Sequence, residues 1–267
     1  RMLDILAIAP RILDVPAEHV HAKARMRSRG GSQYGKQGAG KGASGERANI
    51  ARRRLPLIEE GGLTFAVNFD DYLDVGIFLD HRVTRNLVRE HAKQARRFLN
   101  LFAYTGGATV ACAAAGASVC HVDAAKGMVA WAKENARVSG LQDAPIRWIV
   151  DDCAKFVERE IRRGKTYDAI IMDPPSYGRG PSGEVWKLEE NLYPFVKLCA
   201  RVLSDKPLFV ILNSYTMGLA PSVLGYILQM LVGRRFGGRV TWDELGLPCT
   251  DSGMALPCGA TGRWMSK

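Results

Sequence analysis

The sequence predicts an open, doubly wound α/β fold with a mostly parallel sheet, preceded by a small β-rich, basic N-terminal extension. Three observations lead there. From Val83 onward, short apolar runs alternate with amphipathic stretches of helical period. The first of these runs ends in a glycine-bearing turn. The runs that follow it end in aspartates, Asp123, Asp151 with Asp152, and Asp173.

In chain order, Val20 to Arg27 alternates as a strand does, and the Gly, Ser and Lys mixture from Arg29 to Gly45 has no period, which predicts a flexible loop. Arg54 to Glu60 and Leu63 to Phe69 flank Gly61 and Gly62, a pair suited to the positive φ angles of a two-residue hairpin turn. An amphipathic helix is expected over Val83 to Ala95, a strand over Phe98 to Ala103 and a helix over Ala108 to Ala115. A strand from Ser118 to Asp123 and a helix from Ala125 to Ser139 follow. Ile146 to Val150, Tyr167 to Met172 and Leu208 to Leu212 read as buried parallel strands, with helices at Ala154 to Arg163 and Trp186 to Leu203 between them. A helix near Val223 to Gly233 and strands near Arg239 to Trp242 and Met254 to Pro257 complete the pattern. The expected division is an extension over residues 1–70 and a larger domain over 71–267.

Of the 267 residues, 47% are hydrophobic, enough for a large core plus an appendage. No run approaches the roughly 18 apolar residues that span a bilayer, and the first stretch lacks the layout of a signal peptide. Six cysteines occur singly, without a Cys-x-x-Cys pair or a histidine placed to complete a zinc site. Most read as small buried hydrophobes in a reducing, cytoplasmic compartment, and neither a membrane nor a metal is expected as a partner. The net charge is +10, and Lys23 to Arg54 holds ten basic residues opposed only by Glu46. Lys23, Arg25, Arg27, Arg29, Lys36, Arg52 and Arg53 are therefore candidates to neutralise the phosphates of a polyanion, RNA above all.

The turn Phe102 to Ala108 is not G-x-G-x-x-G and lacks the Lys and Ser/Thr of a P-loop, which removes support for dinucleotides and nucleoside triphosphates. Asp123 lies seventeen positions after Gly106, where a carboxylate accepts hydrogen bonds from ribose hydroxyls. With Asp152 and Asp173 it forms an acidic rim that repels phosphate. Such a rim suits a cationic sulfonium carried on a nucleoside, so the expected cofactor is S-adenosylmethionine. Asn100, Phe102, Tyr104, Thr105, Gly106, Asp123, Ala124, Asp152 and Asp173 are candidate contacts. One such aspartate can instead be a helix cap, the smaller share of the expectation for this set.

After the fourth strand, Asp173, Pro174, Pro175, Ser176 and Tyr177 make a lip that two prolines hold extended, with carbonyls and an aromatic aimed into the crevice. Tyr177 is suited to stack on a nucleobase, and Asp173 or a proline carbonyl to hold its edge. Asp173, Pro174 and Tyr177 are the candidate catalytic residues, and Gly178 to Gly183, with Arg179, reads as a weakly basic flap. Methylating carbon 5 of a pyrimidine needs a cysteine thiolate from the loop after the fourth or fifth strand. Asp173 to Tyr177 and Asn213 to Thr216 contain none, so a nitrogen acceptor is favoured.

DYLDVGIFLDHRVTR (Asp71 to Arg85), RRFLNLFAYTGGATV (Arg96 to Val110) and DAIIMDPPSY (Asp168 to Tyr177) together resemble bacterial large-subunit ribosomal RNA methyltransferases, most closely a guanine-N7 branch. HVDAAKGMVAWAKENARVSGL, DDCAKF and KARMRSRGGSQYGKQG carry the same resemblance, which extends roughly over residues 20–216. It implies a Rossmann-like class I methyltransferase fold, cofactor contacts from Phe78, Asp80, Arg82, Asn135 and Cys153, and ribosomal RNA as the partner. Neither the THUMP nor the PUA domain found among such enzymes is expected within these residues, and the stretch LPCGATGRW departs from their pattern. Three alternatives are a cytosine-C5 RNA methyltransferase served by Cys249 or Cys258, an inactive RNA-binding protein of this fold, and a nicotinamide-dependent oxidoreductase.

Overall fold

A computed structural model describes residues 2–22, 55–69, 74–179 and 185–267. The basic segment from Lys23 to Arg54, with its predicted strand beyond Ala22 and its loop at Arg29 to Gly45, lies outside the described residues. Within the described part of the extension, Val20 to Ala22 form no strand. Met2–Leu13 is instead a helix, α1, with Leu6, Ala9 and Pro10 half-buried at helical spacing. Pro10 within the stretch, a residue that disfavours helix interiors, obscures that i, i+3, i+4 pattern in the sequence.

The hairpin forms as its glycines require. Leu57–Glu60 (β1) and Leu63–Ala66 (β2) pair antiparallel across Gly61 and Gly62, whose φ angles are 58° and 73°. It packs into the main body rather than apart from it, because β2 buries Leu63, Phe65 and Ala66.

The body alternates as expected, with small boundary shifts. Arg82–His91 (α2) precedes Arg97–Leu101 (β3), Gly107–Ala114 (α3), Ser118–Asp123 (β4), Lys126–Val138 (α4), Ile146–Val150 (β5), Cys153–Arg162 (α5) and Ala169–Met172 (β6). Two elements then depart from the sequence reading. Tyr177–Arg179 (β7) and Val185–Lys187 (β8) pair as a small hairpin, so part of the predicted flap is strand. Trp186 belongs to β8, and the helix expected from it is Leu188–Cys199 (α6). Phe209–Ser214 (β9), Pro221–Leu228 (α7) and Arg234–Phe236 (α8) follow. Arg239–Pro248 (β10) and Ala255–Met265 (β11) form a hairpin much longer than the two short strands expected.

The main sheet has the order β10-β11-β9-β6-β3-β4-β5. The five strands from β9 to β5 are parallel, and the β10–β11 hairpin closes the β9 edge antiparallel. A dinucleotide-binding sheet continues with a sixth parallel strand instead. Helices cover both faces over two cores, one built around Leu99, Leu101, Phe156 and Met172, the other around Phe65, Phe98, Ile171 and Phe209. Ligands of such sheets sit beyond the carboxyl ends of the strands, where β3 and β6 part to β4 and β9. No helix among the described residues is long and apolar enough to cross a membrane.

The segment that crosses this end of the sheet, Asp74 to His81, is anchored at one glycine. Gly76 has φ +90°, and a Cβ there would lie 2.2 Å from the ring of Trp131. Trp131 is fully buried and its indole N–H donates to the Ala66 carbonyl at 2.8 Å, so it has nowhere to retreat. Gly76→Ala is expected to destabilise the fold by about 2–4 kcal/mol, combining left-handed strain with overpacking. The midpoint of urea unfolding checks it.

Candidate functional site

The turn leaving β3 is under strain. Phe102 and Tyr104 have φ of 55° and 50°, positions that cost non-glycine residues about 1–2 kcal/mol, and Gly106 has φ 80°. Three groups hold it in place. The Tyr104 N–H donates to Asp123 Oδ2 at 2.8 Å, the Phe102 N–H to Cys153 Sγ at 3.3 Å, and Asn135 Nδ2 to the Thr105 carbonyl at 2.8 Å. Asp123 Oδ1 accepts the Ala125 N–H at 2.8 Å. Burial raises its carboxyl pKa and these two backbone donors draw it part of the way back.

Beside the turn opens a cleft of about 510 Å³ of space continuous with solvent. Ile77, Phe78, Phe102, Ala103 and Ile171 give it apolar walls, and His81, Thr84, Asn100, Asp173 and Asn213 give it polar ones. His81 Nε2 lies 3.2 Å from Asp173 Oδ2, without the alignment of a hydrogen bond. Tyr215, from the loop after β9, donates its hydroxyl to the buried Asp80 and sets its ring edge-on to His81 at 5.6 Å. Burial, then the nearby Asp173 and the bond to Asp80, raise the Tyr215 phenol well above its ordinary range.

The lip is locked from outside the cleft. Trp186 Nε1 donates to the Pro175 carbonyl at 2.6 Å, the Leu188 N–H to the Ser176 carbonyl at 3.0 Å, and Thr216 Oγ1 to Ser176 Oγ at 2.8 Å. Phe102 and Trp186 each pack edge to face with Phe195 behind it and lie tilted to one another. The Pro175 carbonyl is therefore turned to Trp186, which corrects the expectation that both proline carbonyls face the crevice. Pro174 is buried, and the Tyr177 side chain is about half exposed.

Residues 31–191 match the family profile described as S-adenosylmethionine-dependent methyltransferase. The chain belongs to that family. Ribosomal RNA large subunit methyltransferase K/L of Methylococcus capsulatus is 40% identical over 178 residues, 66% of this chain and 22% of that protein. The Chromohalobacter salexigens protein of the same name is 36% identical over 238 residues, 88% of this chain and 29% of its own length. This chain thus spans less than a third of the length of these relatives. Among solved structures, the S-adenosylmethionine-dependent methyltransferase from Agrobacterium tumefaciens aligns with a TM-score of 0.74 at 37% identity, covering 81% of this chain and 72% of its own. A methyltransferase in complex with S-adenosylhomocysteine aligns at 0.65 and 27% identity, covering 80% and 57%.

The cofactor of this methyltransferase is S-adenosylmethionine, and the site fits it. The opening carries the Asp173 carboxylate, apolar walls and a buried glycine turn backed by the Asp123 carboxylate, and among the described residues no lysine of a phosphate cradle lines it. Of the residues singled out from sequence, Phe78, Asn100, Phe102, Tyr104, Thr105 and Asp173 line the cleft, with Asp123 and Cys153 directly behind its turn. Others serve the frame. Asn135 is wholly buried, its Oδ1 accepting the Ala66 N–H at 2.8 Å while its Nδ2 holds Thr105. Asp152 caps α5, accepting the Lys155 N–H at 2.9 Å through Oδ1, and Asp151 pairs with Arg159. Arg82 is exposed and bonds Glu60 at 3.3 Å, Ala124 is exposed, and Gly106 is buried beneath the turn. Lys23, Arg25, Arg27, Arg29, Lys36, Arg52 and Arg53 lie outside the described residues, and Arg179 is described through its backbone in β7.

Sequence reasoning missed His81, Asn213 and Tyr215. The first sits in a stretch quoted for its resemblance, and the other two follow a strand whose loop was inspected only for cysteine. It also passed over the tie between the hairpin and the site. Arg85 Nε and Nη2 donate to Glu60 at 2.6 and 2.8 Å, and its Nη1 donates to the Phe78 carbonyl at 2.9 Å. Burial raises the Glu60 pKa, but the hydrogen bonds and charge of Arg85, then of Arg82, outweigh it and leave the net value below 4.5. A carboxylate lowered on folding stabilises above its unfolded pKa and loses that contribution as pH falls through the folded one. Glu60→Gln is expected to lower stability at pH 7 by about 1–3 kcal/mol, with the gap to the unsubstituted protein closing below about pH 4.5. Urea midpoints measured from pH 7 to pH 3 test this.

Proposed function

We propose that this methyltransferase transfers a methyl group from S-adenosylmethionine to a base nitrogen, guanine N7 foremost, of large-subunit ribosomal RNA. The observation that carries the reading is the rigid lip at Asp173 to Tyr177, standing against the strained turn across a cleft whose own walls hold no thiol. The relatives named for ribosomal RNA methylation support the substrate class.

In this reading Asp123 holds the ribose hydroxyls, and Phe78, Phe102, Tyr104 and the unused oxygen of Asp152 surround the nucleoside. Asp80, Arg82, Asn135 and Cys153 set the shape of the walls around them. When bound, the cofactor supplies an electrophilic methyl on a sulfonium centre. Guanine N7 carries a lone pair and no proton, so transfer needs a held base in line rather than proton removal. Tyr177 supplies a stacking face, and Asp173, with the Pro174 carbonyl, fixes the base edge. Arg179 and the basic residues between Lys23 and Arg53 take the surrounding phosphates, in the manner of an extension over 1–70 serving a catalytic domain over 71–267.

The test is transfer to deproteinised large-subunit RNA followed by mass spectrometry of its nucleosides. The expected product is 7-methylguanosine, and Asp173→Ala is expected to lower its rate at least about 100-fold. Unchanged transfer by that variant would remove Asp173 from the mechanism. Appearance of 5-methylcytosine instead would favour the cysteine route, for which the exposed Cys258 stands close enough to Tyr215 to perturb its phenol. Deleting 29–45 is expected to weaken RNA binding and flatten its dependence on salt, with S-adenosylhomocysteine affinity unchanged. Titrations at a series of salt concentrations read both quantities.

A further inference from the structure

Asn213 is fully buried at the end of β9 and lines the cleft, yet among the described residues neither its Nδ2 nor its Oδ1 has a hydrogen-bond partner. Buried amides are rarely left in this state without a ligand or an ordered water to complete them. Thr84 Oγ1 in the same cleft is also buried without a hydrogen bond among the described residues, and His81 Nε2 has only the unaligned Asp173 carboxylate at 3.2 Å. These groups converge from two elements. Asn213 stands on the face of β9 that carries Phe209 and Ile211, toward α2, where Thr84 lies. Asp173 and Asn213 each lie one residue past the Met172–Leu212 pair of neighbouring parallel strands, which sets their backbones about 5 Å apart.

The chemistry of the set narrows the ligand. A carboxamide presents a donor and an acceptor side by side, and a carboxylate next to it presents acceptors only. A phosphate would meet Asp173 unfavourably, and so would the carboxylate of an amino acid, because the nearby Arg85 guanidinium is committed to Glu60 and the Phe78 carbonyl. A planar edge reading acceptor, donor, donor matches all of it. That is the Watson–Crick edge of guanine.

We propose that Asn213 selects the acceptor base, its Nδ2–H donating to the guanine C6 carbonyl and its Oδ1 accepting from N1–H, while Asp173 accepts from the 2-amino group. Held by this edge, the base leaves N7 on its free side. Adenine would satisfy the amide but turn C2–H toward Asp173, and a pyrimidine would be too short to keep both contacts and still reach the turn. The inference rests on the reading that the acceptor is an RNA base, and it adds the residue that chooses among bases.

The experiment compares Asn213→Leu, which keeps the size and removes both polar atoms, and Asn213→Ser with the unsubstituted protein. Three quantities are read: Tm, S-adenosylhomocysteine Kd by calorimetry, and methyl transfer to deproteinised large-subunit RNA. For Asn213→Leu the expected result is transfer lowered at least about 100-fold, Kd within about twofold and Tm equal or higher, because the leucine satisfies no buried amide but strands none. Asn213→Ser is expected to lose at least about tenfold in transfer. Transfer by Asn213→Leu within about threefold of the unsubstituted rate would overturn the proposal. So would a parallel loss of S-adenosylhomocysteine affinity, which would give the amide to the cofactor, or a fall of Tm in both variants, which would give it to the fold. A second arm does not depend on ribosomal RNA being the substrate. Saturation-transfer NMR of guanosine 5′-monophosphate with the S-adenosylhomocysteine-loaded protein should give a signal that Asn213→Leu abolishes and that adenosine 5′-monophosphate does not reproduce. A signal that survives the substitution, equal signals for the two nucleotides, or none with the unsubstituted protein would also overturn it.

Discussion

The carboxyl end of the sheet depends on a turn that its own backbone disfavours. Phe102, Tyr104 and Gly106 all adopt positive φ within five residues, and two of them bear the steric cost of a Cβ. The surrounding structure over-determines the turn. Asp123 from β4 and Cys153 from the start of α5 take the N–H groups that a regular continuation of β3 would have paired, and Asn135 from α4 takes the Thr105 carbonyl. Thr105 in turn donates to the Gly76 carbonyl at 2.5 Å, which fixes the crossing segment that bears Phe78, Asp80 and His81. One irregular turn thereby couples β3 and β4, helices α4 and α5, the crossing segment and, through Asn135 and Ala66, the hairpin. Carboxylates that read from sequence as ligand groups are also its fasteners.

That double use explains the division of the acidic rim. Asp151 and Asp152 are engaged by Arg159 and by the first turn of α5, whereas Asp173 follows β6 with His81 beside it but out of hydrogen-bond alignment. A carboxylate already satisfied by backbone donors contributes a fixed, pre-oriented acceptor. One without an aligned partner is available to a ligand. The lip that carries Asp173 is rigid for a separate reason, since Trp186 and Ser176 tie it to β8 and to the loop after β9. Mobility at this end is confined by those ties.

Much of this was legible because each signal was local. The strands of the parallel sheet are continuous apolar runs, the Gly61–Gly62 turn needs only its two glycines, and Asp123 and Asp173 stand where a run stops. What escaped depends on partners distant in sequence. Asn135 reads as a polar residue of a helix that is otherwise amphipathic, and only the fold reveals that it lies between Ala66 and Thr105. The Pro175 carbonyl was expected in the crevice because nothing local announces that Trp186, eleven residues on, will claim it. The β10–β11 hairpin ran past its expected ends because glycines at 246, 259 and 262 break the period-2 pattern. Two of these glycines sit where a side chain would strike backbone, Gly246 against Leu256 and Gly259 against Ser214. Asn213 ends an apolar run and looks like an ordinary strand terminus until its missing partners are seen.

Burial keeps most of the titrating groups beneath and beside this end of the sheet in their uncharged forms. Burial raises the thiols of Cys112, Cys153 and Cys199 far above neutrality and that of Cys120 to about 11, so none of the four is a thiolate at pH 7. The Tyr215 phenol, raised as well, is engaged by Asp80. His121, lowered to about 3 by burial, is neutral and lies against Thr109 beneath the turn. Within the cleft, Asp173 Oδ2 stands 3.2 Å from His81 Nε2 and Tyr215 sets its ring edge-on to the imidazole, so the polar wall is positioned by its own neighbours. The arrangement is one of fixed acceptors, apolar walls and aromatic faces.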